Sequence, residues 1–313
     1  MTGDFALVSL VGMFNFPAFI DLKKLSENQI FKLFEKAQSL EKDNSALKEH
    51  FPPVALLFFE PSTRTRMSFE MACGRLGLSS ILLSGKSGTS LEKGESLEDT
   101  VLNVAAMKPS LMIVRAQDDL PMDSISQQVK TPWINAGWGK KGHPTQALLD
   151  ALTIYKFRGQ LSKERVLLVG DVRHSRVVAS HLELAKALNY QVGCCGPQEF
   201  LFETESRVQS FHSLEEGLRW ATVVMALRVQ NERHDTQHDL FSYHTTWGLN
   251  AKTLANLDQQ SLILHPGPVN HGVEIDSQVF HDPRCRILEQ VTQGVFLRQA
   301  LISTLLKNPG DLA

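Results

Sequence analysis

No excess of either charge runs through this chain. Its 32 Lys and Arg residues face 34 Asp and Glu, for a formal net charge of -2. That balance lacks the electrostatic footprint of a nucleic-acid binder, and no long block of like charge suggests an interaction tail. Cysteine is scarce. Cys73, Cys194, Cys195 and Cys285 form no C-x-x-C pair, which argues against a disulfide framework or a thiolate metal site and for buried, reduced thiols. No metal and no cofactor is expected. Long apolar runs are missing too. The N-terminal stretch 5–19 follows Asp4, is broken by Gly12, Asn15 and Pro17, and precedes the first basic residue, Lys23. It makes a poor signal peptide and is too short to cross a membrane, so no membrane partner is expected and the cytoplasm is the expected compartment. Repeats and low-complexity segments are absent. What the chain does have is 313 residues with 42% hydrophobic content, enough for two ordinary domains with cores.

Short apolar runs alternate with helix-period segments. Strands are expected at 54–59, 80–83, 111–114 and 132–135 in the first half, and at 165–169, 191–195, 222–226 and 261–264 in the second. Helical spacing lies between them, as in Ile30, Leu33, Phe34 and Ala37. The alternation predicts an α/β fold, two domains each with a parallel β-sheet flanked by helices. A helix from His143 to about Phe157 carries the chain from the first domain to the second, and Val295, Leu297, Ala300, Leu301 and Leu305 mark a terminal helix. Ligands of such sheets sit at the carboxyl ends of strands, here in the cleft between domains.

The richest segment is Phe59-Glu-Pro-Ser-Thr-Arg-Thr-Arg-Met-Ser-Phe-Glu70. A strand ends, Pro61 punctuates, and Ser62, Thr63 and Thr65 stand where a helix begins, with Phe69, Ala72, Cys73 and Leu76 on its inner face. The first turn of a helix offers unpaired N–H groups at the positive end of its dipole, which favours acidic residues there. Arg64 and Arg66 oppose that dipole, so a bound anion explains them better than a simple cap. Three hydroxyls beside two guanidiniums suit a phosphate.

Other polar clusters also follow strands. Thr89-Ser-Leu-Glu-Lys-Gly-Glu95 is a polar loop, and Arg115 ends a strand at the cleft rim. In Asn135-Ala-Gly-Trp-Gly-Lys-Lys-Gly-His-Pro-Thr-Gln146 a glycine-bearing loop leads into a helix with Pro144 at its first position, which lets His143 and Gln146 face a ligand. Val166-Leu-Leu-Val-Gly-Asp-Val-Arg-His-Ser-Arg176 has the strand-turn-helix outline of a dinucleotide site but lacks two of its glycines. Its basic residues Arg173, His174 and Arg176 suit a carboxylate instead. Arg228, Gln230 and Arg233 follow a later strand, and Leu264-His-Pro-Gly-Pro-Val-Asn-His-Gly-Val-Glu-Ile275 is a rigid Pro/Gly loop.

Together these segments resemble the transcarbamoylase family, and within it the aspartate-specific branch. Ser-Thr-Arg-Thr-Arg followed by His-Pro-Thr-Gln is a specific pairing, and the resemblance runs from residue 58 to the terminal helix. It implies a carbamoyl-phosphate-binding domain over 1–150, with the C-terminal helix 292–313 packing back on it, and an aspartate-binding domain over 151–291. The implied reaction transfers the carbamoyl group of carbamoyl phosphate to the α-amine of L-aspartate, an early committed step of de novo pyrimidine biosynthesis. Ser62, Thr63, Arg64 and Thr65 would cradle the phosphate with Arg115. Thr65, Arg115 and His143 would contact the carbamoyl oxygen, Gln146 the carbamoyl nitrogen, and Gly267 and Pro268 would lie near that amine. Arg176 would hold the α-carboxylate of aspartate, and Arg228 and Gln230 its side-chain carboxylate. Ser90 and Lys93 match a loop that a neighbouring subunit donates, with Lys93 reaching the aspartate, in a homotrimer with shared active sites. Glu60, Arg176 and Arg233 resemble the charges that steady domain closure. The family also leaves room for a larger assembly with regulatory or dihydroorotase chains.

Three departures stand out. The loop around Ser90 is one residue shorter than in some members, His271 stands where many carry Arg, and Trp138 occupies a position often acidic. The alternatives are a transcarbamoylase for ornithine or another amine, a non-catalytic relative, and, less favoured, a dinucleotide-dependent dehydrogenase. Ornithine enzymes typically carry His-Pro-Cys-Gln, His-Cys-Leu-Pro and Ser-Met-Gly, none of which occurs here.

Overall fold

A computed structural model describes residues 18–43, 46–85, 87–202, 208–229 and 240–307. Two five-stranded sheets, parallel throughout, form its framework. The first contains β1 (Ala18–Phe19), β2 (Val54–Phe58), β3 (Ser80–Ser84), β4 (Met112–Ala116) and β5 (Trp133–Trp138), in the order β1-β5-β4-β2-β3. The second contains β6 (Arg165–Val169), β7 (Gln191–Cys195), β8 (Val208–Ser210), β9 (Val223–Ala226) and β10 (Leu262–Leu264), in the order β10-β9-β6-β7-β8. Central strands such as Val54–Phe58 are buried at every position. This is why they read as continuous apolar runs rather than alternating ones.

Nine helices cover these sheets among the described residues: α1 (Glu27–Lys42), α2 (Thr63–Arg75), α3 (Leu97–Ala106), α4 (Met122–Gln128), α5 (Pro144–Arg158), α6 (Arg176–Leu188), α7 (Leu214–Trp220), α8 (Leu240–Trp247) and α9 (Ile287–Lys307). α1 begins with a capping box between Ser26 and Gln29 and buries the expected stripe Ile30, Leu33, Phe34 and Ala37. α5 is buried from Pro144 to Ile154, and so is wrapped by protein rather than amphipathic. It packs on α6 and on α9, and α9 in turn packs on α1 and α2. None of the described helices is long and apolar enough to cross a membrane.

Strand order fixes where a ligand can sit. In the first sheet the chain moves outward from β2 to β3, then returns to the other side of β2 for β4 and β5. In the second it reverses in the same way between β6 and β9. A crevice opens at the carboxyl ends of the strands at each reversal. Phe58 of β2 lies opposite Arg115 of β4, and Val169 of β6 lies opposite Ala226 of β9. The loops that leave these four strand ends carry the polar motifs.

β5 runs three residues beyond its expected end at 135. The register slips between Val114 and Ala116, and Gly137 takes φ +127°, which few residues with a side chain adopt. A Cβ there would lie 2.7 Å from Nη1 of Arg115. The glycine therefore makes room for the arginine as well as for the bulge.

Candidate active site

A cavity of ≈ 520 Å³ lies between the two sheets. After β2 come Glu60, Pro61, Ser62, Thr63, Arg64 and Thr65. Arg115 and Gln117 come from the end of β4, and His143 and Gln146 from the start of α5. Ser175, Arg176 and Val177 lead into α6. Leu227 and Arg228 follow β9, the 265–268 loop follows β10, and Gln290, Val291 and Arg298 are supplied by α9. Of the expected site residues, Glu60, Ser62, Thr63, Arg64, Thr65, Arg115, His143, Gln146, Arg176, Arg228, Gly267 and Pro268 all line it. Gln230 and Arg233 lie outside the described residues.

Ser62 occupies the N-cap position of α2, yet its side chain makes no capping bond. The hydroxyl is not serving the cap role that Ser at this position usually fills. Arg64 follows in the first turn against Gly267, where a Cβ would come within 2.7 Å of the Arg64 Nε. Burial and the nearby Arg228 both lower the pKa of the Arg64 guanidinium.

Among the described residues, five guanidiniums line the cavity, from Arg64, Arg115, Arg176, Arg228 and Arg298, whereas Glu60 is the one carboxylate in the lining. Five minus one leaves four positive charges. Glu60 sits among them: its Oε2 lies 2.7 Å from Nη1 of Arg176 and 3.6 Å from Nε of Arg115. The first pair ties the loop after β2 to the start of α6, joining the two sheets across the cavity. Arg115 also donates from Nη1 to the carbonyl of Ala136 at 3.2 Å.

His143 is buried, with Nε2 3.5 Å from the Thr65 hydroxyl. Its Nδ1 has no hydrogen-bond partner among the described residues. Burial first, and then the positive fields of Arg115, Arg298 and Arg176, hold its imidazole well below the ordinary 6.5. It is therefore neutral, a donor and acceptor without charge. In the unfolded chain the same ring takes a proton as pH falls through about 6.5. Below that pH the unfolded state binds more protons, so stability is lost on acidification until the folded value is reached. One group contributes at most about 1.4 kcal/mol per pH unit. A His143→Gln variant is expected to lose less unfolding free energy than the parent between about pH 7 and about pH 5. Equal acid losses in urea melts of the two proteins would mean that the ring is already charged in the fold.

Two expectations change in detail, one for the basic trio after β6 and one for the fourth thiol. Of the basic trio after β6, Arg176 alone lines the cavity, and His174 Nδ1 instead sits 2.8 Å from Asp171 Oδ1. A buried acid three residues earlier captures that ring. Ser90 and Lys93 form a short 3-10 turn with no buried residue and do not line this chain's cavity. Cys73, Cys194 and Cys195 are buried free thiols, but Cys285 is only partly covered. No group of three or more His, Cys, Asp or Glu residues suited to a metal ion occurs among the described residues.

Arg298 stands outside the expected set. It falls inside the apolar pattern of the terminal helix, between Leu297 and Ala300. It is 3% exposed, its Nη1 donates to Ser68 Oγ at 2.7 Å, and its guanidinium stacks 4.9 Å from the centroid of Phe69. Asp150 of α5, 0% exposed, is a second such residue. In both cases the signal is a charged residue on a stripe whose period demands burial.

Family models match both halves of the chain. The carbamoyl-P binding domain of the aspartate/ornithine carbamoyltransferases matches residues 18–156, and their Asp/Orn binding domain matches 162–305. The aspartate carbamoyltransferase catalytic subunit of Rhizobium etli (strain CIAT 652) is 40% identical over 298 residues, covering 92% of this chain and 93% of its own. Among solved structures, aspartate transcarbamoylase from Trypanosoma cruzi in complex with carbamoyl aspartate and phosphate is 27% identical, with a TM-score of 0.82 over 92% of this chain and 95% of that one. Ornithine carbamoyltransferase from Thermus thermophilus shares the fold, with a TM-score of 0.80 at 24% identity over 92% of this chain and 98% of its own. Matched in order over both halves, this chain belongs to the aspartate/ornithine carbamoyltransferase family.

Proposed function

We propose that this chain transfers the carbamoyl group of carbamoyl phosphate to the α-amine of L-aspartate, giving N-carbamoyl-L-aspartate and phosphate for pyrimidine biosynthesis. The observation that carries the reading is the cavity's set of five guanidiniums against one carboxylate among the described residues. A phosphate dianion and the two carboxylates of an aspartate whose α-amine is free to attack bring four negative charges to an excess of four positive ones. A diamine such as ornithine, reacting through one free amine, would still bring its other ammonium into the same field and one carboxylate fewer.

The roles follow from placement. Ser62, Thr63, Arg64 and Thr65, with the first-turn N–H groups of α2, hold the phosphate. Arg115, Thr65 and the neutral His143 point donors at the carbamoyl oxygen, and Gln146 with the 265–268 loop takes the carbamoyl amine. Arg176 and Arg228 hold the two carboxylates, with Gln230 beside them. The α-amine lone pair forms the new C–N bond, negative charge builds on the carbonyl oxygen, and the C–O bond to phosphate breaks. The departing phosphate takes the amine proton. Fixed donors stabilise the oxyanion without reorganising, each worth about 3–4 kcal/mol, and holding two anions in register supplies much of the remainder. Arg176 must exchange its bond to Glu60 for the substrate carboxylate or share it, so aspartate binding and the Glu60 bridge, with Arg233, are coupled to closure.

This reading divides the chain near residue 150, with the terminal helix returning to the first half. It also includes a homotrimer in the cytoplasm, in which Ser90 and Lys93 complete a neighbour's site. Two observations support the trimer. The 90–93 turn lies outside its own cavity. Met67, Met71, Ile81 and Leu82 on α2 and the edge strand β3 are exposed large apolar side chains, of the sort that subunit contact covers.

The direct test is to supply carbamoyl phosphate with aspartate or with ornithine and follow carbamoylated product and phosphate release. Product with aspartate alone is expected. Product with ornithine would overturn the assignment of Arg176 and Arg228, and product with neither would refute the transfer reading.

A further inference from the structure

A chain of buried hydrogen bonds runs behind the cavity, centred on Asp150. Its Oδ1 accepts from the amide nitrogen of Gln146 at 2.8 Å and from that of Gln290 at 2.7 Å. Its Oδ2 lies 3.1 Å from His181 Nε2, and His181 Nδ1 lies 2.9 Å from the Tyr190 hydroxyl. Gln290 continues the chain the other way, since its Oε1 accepts from the backbone N–H of His265 at 2.9 Å. His265 in turn lies 3.1 Å from Glu274 and accepts from the Gly267 N–H at 2.8 Å. Asp150, His181, His265, Gln290 and Glu274 are all buried.

The consequence for the cavity is a matter of polarity. A glutamine amide has a donor end and an acceptor end, and either can face a ligand. Here Asp150 takes the donor end of Gln146, which leaves the amide oxygen for the cavity that Gln146 lines. The same carboxylate oxygen pins Gln290, and through it the 265–268 loop on the other wall.

We propose that Asp150 is a positioning residue for the carbamoyl amine: it fixes the Gln146 oxygen toward the cavity and holds the 265–268 loop opposite, so that the site selects an amine-bearing acyl phosphate over its methyl counterpart. The inference rests on the carbamoyl-transfer reading. An NH₂ group satisfies an acceptor fixed in that place. A methyl group of similar size leaves it buried and unsatisfied, the condition under which polar sites discriminate most strongly.

The test is calorimetric titration of the purified full-length protein with inorganic phosphate, acetyl phosphate and carbamoyl phosphate. The parent is expected to bind carbamoyl phosphate about tenfold or more tightly than acetyl phosphate. In Asp150→Ala the gap should close to within about threefold while inorganic phosphate affinity changes little. Asp150→Asn, whose side-chain oxygen can still accept from Gln146, should keep most of the gap. Gln146→Met leaves Asp150 bonded to Gln290 and His181 and should also close the gap, so the proposal can still fail if Asp150→Ala does not fold. A gap that survives in Gln146→Met, a loss in Asp150→Asn as large as in Asp150→Ala, or an equal weakening of all three ligands in Asp150→Ala would overturn the proposal. A parent that binds phosphate without distinguishing the two acyl phosphates overturns it and leaves the transfer reading standing. A parent that binds none of the three ligands refutes both.

Discussion

Arg64→Ala is expected to lower kcat with aspartate by about three orders of magnitude, the upper range for losing one fixed donor at a developing anion. The side chain sits in the first turn of α2, where backbone N–H groups already converge, and the Gly267 backbone approaches its guanidinium more closely than a Cβ would allow. Lys93→Ala should also be inactive, but for a different reason, because Lys93 sits outside its own chain's cavity. In a cyclic trimer each site takes its cavity from one subunit and its loop from the next. Every trimer that mixes the two variants then contains one wholly native site. Mild dissociation, mixing and reassembly should therefore return activity that neither variant has alone. Mixed trimers confirmed by mass that stay inactive would place Lys93 within its own subunit's chemistry or outside catalysis.

Much of this site is legible in the amino-acid order because its residues sit at strand ends and helix starts, which sequence marks well. The run 54–59 reads as a strand because all of Val54–Phe58 is buried on both faces, and Pro144 marks the start of α5 by its place at the first helical position. Where the chain carries weaker cues, tertiary pairing decides. β1 is two residues that become a strand only by pairing with Trp133 and Ile134, and β8 is three residues at the far edge beside β7. Neither has a run long enough to show a period. Asp150 and Arg298 are hidden for the opposite reason: the apolar pattern around them is so strong that it reads as core. A charge on such a stripe is costly unless bonded, so it signals a network or a ligand.

Arg298→Met is the substitution in which stability and binding should part company. The guanidinium is fully buried, with no carboxylate bonded to it among the described residues: it rests on Ser68, Thr145, the carbonyl of Gly294 and the face of Phe69. Burial pulls its pKa down from 12.5 to about 10, against the smaller opposing pull of Asp150. A folded value below the unfolded one means that the charged form is penalised by folding at every pH below about 10. The penalty is on the order of 3 kcal/mol. Methionine fills similar space without that penalty, and Ser68 and Thr145 can turn their hydroxyls elsewhere. The ligand-free variant is therefore expected to melt no lower than the parent. The cavity, however, loses one of five positive charges, from the low-dielectric side where water screens least. Inorganic phosphate should bind about tenfold more weakly, and kcat/KM should fall by about two orders of magnitude. Thermal melts with and without phosphate separate the two effects: the parent should gain stability from phosphate and the variant much less. A variant that melts well below the parent yet binds phosphate as tightly would make Arg298 a structural pin for α2 and α9. If the expected pattern is found instead, folding tolerates a destabilising buried cation because the anion it attracts is the substrate.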